Sequence, residues 1–530
     1  MKYIIKILLS IMVIMMPMVG CDTDELHDLN VDPQSLNTVP LEYIFTAAEL
    51  GSASGGTSGD NRYIDWRTNI GFAGYAIQQL STATGGIAPG DKYTEDAESY
   101  AAPWEFIYGD QLKNIAEIIK QTDPGGFAEG RYNNLRQATR ILRAFNFHRL
   151  TDYYGNIPYS DALKGIDKVF LPTYDTQEAI YTDLLKELDE ATAAMTPLDA
   201  INLDDVGFAG ADLIYDGDIA QWKKFGYSLM LRLAMRVSNV ALPMANEYVA
   251  KAVAGGVFTS NDDNVWIPMS EGPSEWTNQN GISRAFASGD GGQPNTLSAT
   301  LINELMGGDG TADDDPRLTI LSQGIQGDPS NQRGLPNGLD QAMVDAFVGE
   351  DNVIVSERFS QINQSLLQDD DPYFLMHYAE VEFLQAEAAE RGIGGIAAAS
   401  AQAHYDAGVK AAIQMYTPFD PTLEVPDAVV AAYLAARPYP AGGTLEEKLE
   451  AIGTQLWLSK FFSWWEAWAD WRRTGYPVLT PTNYPGNVTN GTIPRKLRIP
   501  TQEVATNPNY ASGATQPDLP TTRVWWDGGS

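Results

Sequence analysis

Aromatic and amide side chains are concentrated between residues 266 and 286, where no helical or strand period accounts for the rings. Trp276 lies there in a polar, turn-forming stretch of Gly, Pro, Ser, Asn and Gln. Aromatic faces stack on the C–H face of a pyranose, and amide or guanidinium groups bind its hydroxyls. The segment therefore predicts a saccharide site, although the same groups could hold an extended peptide. The candidate ligand contacts are Trp266, Trp276, Asn278, Asn280, Arg284 and Phe286.

A second candidate segment is the loop at about 81–99, which carries Gly-Gly and Pro-Gly turns. Gly and Pro at these positions favour an irregular backbone between helices. Tyr93 and Tyr100 follow the turns and are predicted to be exposed. We expect both rings to contribute to the same ligand-binding face.

The sequence lacks the common catalytic motifs. Its four histidines are scattered, and it has no His-Glu-x-x-His run, no Gly-x-Ser-x-Gly turn and no Walker loop. A glycosidase needs only two opposed carboxylates, so with 69 acidic residues that alternative stays open. Glu380 and Glu387 lie seven residues apart on one predicted helix face, where structural hydrogen bonds explain them better. The sequence predicts a binding protein with no catalytic residues.

Acidic residues also occur in short runs, at 262–263, 313–315 and 369–371. Calcium prefers several oxygen ligands, but none of these runs has alternating acids followed by glycine. Asp371 followed by Pro372 instead predicts a helix start, with the acid as the cap. No metal ligand and no cofactor is predicted, and structural calcium stays open.

The formal net charge of -34 limits the partners of this chain. Nucleic-acid binding requires a basic surface that attracts phosphates, so this class is excluded. Attachment to anionic lipids through a polybasic patch is disfavoured for the same reason. Neutral sugars and mixed peptides are indifferent to such a charge.

The first 21 residues are typical of an exported lipoprotein. Two lysines precede an apolar run, and Met18-Val19-Gly20-Cys21 has the form of a lipoprotein processing site. Residues 1–20 are then a signal peptide, and the acylated Cys21 anchors a polar tether over 21–40. An ordinary secretory signal is the alternative. Cys21 is the only cysteine, so no disulfide can form within the chain.

Helical periodicity dominates the mature chain and predicts a mainly α fold. Leu135, Ala138, Leu142 and Phe145 share one helix face, and Asp218 is the expected cap of a later helix. We predict a single domain over 41–530, with a loop-rich insert at 257–365. Its helical platform covers 131–256 and 372–473, and helices are expected at 131–154, 172–194, 218–240, 244–256, 372–391, 398–416, 426–436 and 446–473. Helix pairs in series weakly suggest a tetratricopeptide-like repeat.

The last predicted helix carries five aromatic residues at alternating spacings of four and three. They are Trp457, Phe461, Trp464, Trp468 and Trp471. This spacing places all the rings on one stripe. A sugar-stacking surface is one interpretation, but burial in the core is favoured because amphipathic stripes normally face inward.

Several stretches in order along the chain resemble the SusD/RagB family of nutrient-binding outer-membrane lipoproteins, and within it the SusD-like 2 subgroup. They are mostly scaffold motifs, so they point to the fold rather than to the ligand. The stretches are Asn30-Val31-Asp32-Pro33, Asp152 to Tyr159, Asp216 through Trp222 to Arg236, Asp315-Pro316-Arg317-Leu318, Tyr378 to Ala388, Glu466 to Pro477, Asn507-Pro508-Asn509-Tyr510 and Trp525-Trp526.

The resemblance implies a helical body with four tetratricopeptide-like helix pairs and a loop-rich ligand face. It implies a lipid-anchored protein on the outer membrane that closes over a SusC-like TonB-dependent transporter. Such proteins capture oligosaccharides, or in some members peptides, and deliver them without catalysis. Their ligand contacts tend to come from an early loop and from the region after the repeats, which are the two segments chosen above.

Overall fold

Helices dominate the computed structural model, which describes residues 39–53, 63–84, 89–272, 278–286, 292–307 and 314–529. The predicted mainly α fold is confirmed. The strands of this part are short, and none has more than four residues. Among the described residues, no helix combines the length and the apolar character needed to cross a membrane.

The α-helices fall into two groups, separated by a stretch of short elements. Before residue 260 they are α1 (Leu41–Ser52), α2 (Ala97–Phe106), α3 (Leu112–Thr122), α4 (Asn133–Tyr154), α5 (Gln177–Ala194), α6 (Leu203–Ala211), α7 (Ile219–Arg236) and α8 (Leu242–Gly255). The later ones are α9 (Gly281–Phe286), α10 (Ala299–Leu305), α11 (Arg317–Leu321), α12 (Gln341–Val348), α13 (Tyr378–Arg391), α14 (Ala401–Gln414), α15 (Asp427–Ala436), α16 (Leu445–Ser459), α17 (Trp464–Thr474), α18 (Thr501–Thr506) and α19 (Tyr510–Gly513). A π-helix, Ile64–Gly74, precedes α2, and a second π-helical turn, Ile107–Gln111, follows it.

Two small antiparallel pairings join the short strands. β1 (Val265–Ile267) pairs with β4 (Tyr373–Met376), and their register places Trp266 opposite Phe374. β2 (Ser322–Gly324) pairs with β3 (Gln361–Ile362). The first pairing ties the segment after α8 to the segment before α13.

Consecutive helices pack as pairs: α4 on α5, α7 on α8, α13 on α14 and α16 on α17. The face predicted for 131–154 is buried, with Leu135 and Phe145 no more than 1% exposed. Asp218 caps α7 as expected, because its carboxylate accepts from the backbone N–H of Ala220 at 2.8 Å. The division into four tetratricopeptide-like units stays a prediction, as do the domain boundaries.

The aromatic stripe predicted for one helix over 446–473 lies instead on two helices. The chain breaks between α16 and α17, where Phe462 has a φ of 76°. At this break the ammonium group of Lys460 reaches Glu380 at 2.8 Å and Asp470 at 3.2 Å. All five rings of the stripe are buried, so the interpretation as core is confirmed.

The helix start predicted at Asp371 and Pro372 is wrong. Residues 373–376 form β4, because they complete the antiparallel pairing with β1. Helix α13 begins only at Tyr378, and the ring of His377 caps it by accepting from the N–H of Glu380 at 3.2 Å. The Asp371 carboxylate instead accepts from the N–H of Gln368 at 2.7 Å.

Charged side chains are buried where α7, α13, α16 and α17 meet. We name this set the buried ion cluster, and it comprises Arg232, Arg236, Lys460, Glu380, Glu466 and Asp470. Each of these side chains is at most 6% exposed. Burial alone raises the pKa of Glu466, but the neighbouring arginines and lysine outweigh it and hold the pKa well below its usual value.

The structural interpretation of Glu380 and Glu387 is confirmed. Glu380 accepts two bonds from Arg232, at 2.6 and 2.7 Å. Glu387 accepts from Arg473, with Nη2 at 2.7 Å. Burial opposes ionisation, yet the cations outweigh it and hold the Glu380 pKa at about 2. A general acid needs a raised pKa, so this pair does not fit catalysis.

Candidate binding groove

An open groove lies between α2 and the segment that leads into α18. It encloses about 420 Å³, a volume in the range of ligand pockets. Tyr63 and Phe106 line one part of it, and Pro500 to Gln502 line another. We name it the aromatic groove. Its remaining lining residues are Arg67, Ala97, Glu98, Ala101, Ala102 and Glu105.

Three stacked rings support this groove. The Tyr63 ring lies between Trp66 and Phe106, with centroids 5.4 and 6.1 Å away and interplanar angles of 20° and 10°. Trp66 is in the first turn of the π-helix Ile64–Gly74, and Phe106 ends α2. Each ring is half-buried. The stacking fixes the rings and leaves part of their apolar surface open to a ligand.

Small and charged residues complete the groove. Alanines on α2 leave the space that larger side chains would fill. Arg67 pairs with Glu98 and also lies over the Trp66 ring, 5.0 Å from its centroid. The Glu98 side chain is 68% exposed and that of Arg67 17%. The groove thus combines an apolar wall with a few oriented charges, the arrangement typical of saccharide recognition.

A second aromatic feature follows β1 and β4. Here four rings stack in series, with neighbouring centroids 5.6 to 6.0 Å apart and interplanar angles of 19° to 27°. We name it the aromatic ladder, and its members are Trp266, Phe374, Phe419 and Phe462. The cavity beside it has a free volume of only about 10 Å³, which holds about one water molecule. The ladder therefore has no pocket for a sugar ring.

Three of the polar contacts predicted near this ladder hold the local backbone. Asn280 is 3% exposed and caps α9, accepting from the N–H of Ile282 at 2.9 Å. Arg284 donates from Nη1 to the side-chain oxygen of Gln279. Asn278 has a φ of 58°, and its carbonyl accepts from Ser270 at 2.7 Å. Their role in ligand binding stays a prediction.

The predicted exposure of Tyr93 and Tyr100 is wrong. Tyr93 is 1% exposed, and its hydroxyl accepts from the N–H of Thr482 at 3.2 Å. Tyr100 is 3% exposed and lies within α2 rather than in the loop, edge-on to Phe72. Phe286 is also buried, edge-on to Trp464 at 6.3 Å. Turn-forming neighbours were a poor guide, because the core extends beneath this loop.

Two predicted positions, Cys21 and Trp276, lie outside the described residues. Conversely, the sequence interpretation missed Tyr63, Trp66 and Phe106. The available signal was the Tyr-x-x-Trp-Arg run at 63–67, directly after a Gly/Ser-rich stretch. Phe106 carries no such signal, because only the packing of α2 brings it to Tyr63.

Comparisons with known proteins agree on one family. A family model described as "Starch-binding associating with outer membrane", SusD-like_2, matches residues 41–500. A structure named as a chitin-binding protein is 31% identical, with a TM-score of 0.76, and the match covers 92% of this chain and all of that one. No curated protein matches this chain.

Two further solved structures have the same architecture. A Bacteroidetes SusD-like protein, AC2a, is 25% identical with a TM-score of 0.76, over 92% of this chain and 100% of that one. A chitin-binding SusD homologue from Flavobacterium johnsoniae is 26% identical with a TM-score of 0.72, over 92% and 98%. The family match covers most of the chain and the fold agrees throughout. This chain therefore belongs to the SusD-like 2 family of the SusD/RagB group, which is associated with the outer membrane.

Proposed function

We propose that this protein binds oligosaccharides at the cell surface and delivers them to a SusC-like TonB-dependent transporter. The aromatic groove carries the proposal, because it joins a stacked aromatic wall to a few polar groups in one open cavity. The chitin-binding proteins among its structural relatives make β-linked N-acetylglucosamine oligomers the first ligands to test.

Calorimetric titration with chitin and starch oligosaccharides tests the proposal directly. We expect at least one series to bind, and the affinity to grow with chain length until the groove is filled. Parallel titration with a mixed oligopeptide series tests the alternative ligand class. Binding of peptides without binding of any sugar would reverse the ligand assignment.

Trp276 tests the contribution of the loop that the sequence singled out. If its ring stacks on the bound sugar, Trp276→Ala weakens binding by about 1–3 kcal/mol, a scale taken from stacking on nucleic-acid bases. Phe347→Ala is a matched control, since Phe347 is a half-exposed ring that stacks on Phe359 outside the groove. An affinity unchanged by Trp276→Ala leaves the groove without help from this loop.

The proposal includes an acylated Cys21 as the anchor. Replacing it with serine removes the thiol that accepts the lipid, so we expect the variant to be found outside the membrane fraction or as an unprocessed precursor. Firm attachment of Cys21→Ser to outer membranes, measured after fractionation, would contradict lipid anchoring. A glycan titration of the variant shows that its groove is intact.

The proposed transporter contact has a candidate surface at one end of α4 and α6. Phe127, Ile201 and Leu203 are 82%, 89% and 82% exposed, an unusual display of apolar side chains. The Arg131–Asp204 pair, with Nε–Oδ2 at 3.0 Å, joins the segments that bear them. Co-purification with the transporter is expected to be weakened by Leu203→Asp. The control is Phe170→Asp, since Phe170 is 73% exposed in a separate loop.

The absence of catalysis is part of the same proposal. Two carboxylates, Glu98 and Glu105, do line the groove, so hydrolysis is a specific alternative. A reducing-sugar assay with the ligand polysaccharide separates the two functions. A binding protein releases no ends, whereas turnover that is lost in Glu105→Gln would establish a hydrolase.

A further inference from the structure

The charges around the aromatic groove are unevenly distributed. Helix α2 contributes two carboxylates, Glu98 and Glu105, whereas Arg67 is the cation among the described lining residues. Arg67 is already engaged, because it pairs with Glu98 and lies over Trp66. Glu105 is exposed, and within the described part of the chain its carboxylate has no ion-pair partner.

The opposite side of the groove does not compensate this charge. The residues that line it there are Pro500, Thr501 and Gln502, none of which is charged. The nearest preceding cation, Arg498, pairs with Glu95 at 2.7 Å. The described lining is therefore net negative, within a chain whose formal charge is -34. Clefts lined by one sign of charge concentrate ligands of the opposite sign.

We infer that the aromatic groove selects glycans by charge, favouring amino sugars with free ammonium groups over their N-acetylated forms and excluding uronic or sulfated sugars. This inference rests on the proposed function and names a ligand class for the same groove. Glu105 is the specificity-determining residue, because its carboxylate can accept a charge-assisted hydrogen bond from the ammonium group. The Arg67–Glu98 pair is neutral as a unit and serves both sugar classes through its polar edges.

A titration series of matched oligosaccharides tests the inference. The probes are chitin oligosaccharides, fully de-N-acetylated glucosamine oligomers of equal length, and oligogalacturonates, all at a mildly acidic pH that keeps the amines protonated. We expect the glucosamine oligomers to bind about fivefold more tightly than the acetylated ones, the upper end for an exposed ion pair. High salt is expected to remove this preference, and the oligogalacturonates are expected not to bind.

Two charge-neutralising variants distinguish the groove from the overall charge. Glu105→Gln is expected to abolish the preference while it leaves binding of the acetylated oligomers nearly unchanged. Glu178→Gln is the control, because Glu178 is an exposed carboxylate in the first turn of α5 and its loss changes the net charge equally. This control is expected to keep the preference.

Each outcome bears on either the inference or the proposed function. Equal affinity for acetylated and free amino sugars would overturn the inference and leave glycan binding in place. An equal loss of preference in Glu105→Gln and Glu178→Gln would also overturn it, since the long-range charge would then explain the selection. No binding of any oligosaccharide by the wild-type protein would remove the proposed function and this inference together.

Discussion

The aromatic groove and the core beside the buried ion cluster use the same side-chain types in opposite surroundings. In the groove, Arg67 lies 5.0 Å from the Trp66 ring centre and remains 17% exposed. In the core, Arg472 lies 3.7 Å from the Trp468 ring centre and is 3% exposed. Arg472 is saturated by backbone carbonyls, including that of Asp152 at 2.7 Å. Only the first pair has room to exchange water for a ligand.

The carboxylates of the two regions differ in the same way. Glu466 is enclosed by three cations, so its charge is compensated within the fold. Glu105 faces an open groove, where its charge can act only on solvent or on a ligand. Compensated charges stabilise a structure, and uncompensated ones at a cavity are available for recognition. The comparison teaches that exposure separates these roles, since residue type does not.

The largest effect is expected in the core. Glu466→Ala leaves three buried cations without their shared partner, and such losses cost about 3–5 kcal/mol. The free energy of unfolding, measured by chemical denaturation, should fall by this amount. Glu466→Gln keeps the shape while it removes the charge, so it should also destabilise. A free energy of unfolding unchanged in both variants would contradict the role assigned to the cluster.

The groove should show the opposite pattern, with a loss of affinity rather than of folding. Phe106→Ala removes the outer ring of the stack, and we expect ligand affinity to fall by about 1–3 kcal/mol. Calorimetric titration measures this loss, and Phe347→Ala again provides the control. If Phe106→Ala lost stability and kept its affinity, the groove rings would belong with the core.

Asp371 is a third case, a buried acid without a cation. Burial, together with Asp370, Asp420 and Asp369, raises its pKa to about 7. Folding therefore favours the protonated form. Its contribution is fully present below the ordinary pKa of about 3.9 and is lost as the pH rises through about 7. Asp371→Asn should gain stability relative to wild type between pH 5 and pH 8, as seen in thermal melts. Parallel stability curves for the two proteins would show that the carboxyl is not perturbed.

The smallest effect on binding is expected at the aromatic ladder. Phe419→Ala should change ligand affinity by less than about twofold, because the ladder has no pocket for a sugar ring. The same titration as for Phe106→Ala checks this. A loss as large as that of Phe106→Ala would move the binding surface to the ladder, beside the segment that the sequence favoured.

Elements that depend on local pattern were predictable, and those that depend on distant partners were not. The face of α4 and the cap at Asp218 follow from spacing and residue type, and both are present. The start of α13 was predicted too early, because the pairing of β4 with β1 joins segments about a hundred residues apart. The break before α17 likewise depends on Lys460, whose partners come from two other helices.

The candidate site shows the same division. Aromatic and amide residues at 266–286 indicated saccharide chemistry, yet Asn280 and Phe286 are buried in packing roles. The groove unites Tyr63, Phe106 and Gln502, which are far apart in sequence and share no motif. No pattern within one segment can reveal a cavity whose walls come from three.

The sequence by itself determined the helical architecture, the acidic character and the family, because periodicity, charge and scaffold motifs are properties of local residues. Only the tertiary structure decided which rings remain exposed and which carboxylates lack a cation. Exposure and charge compensation depend on what packs against a side chain, and that neighbour is usually remote in the chain.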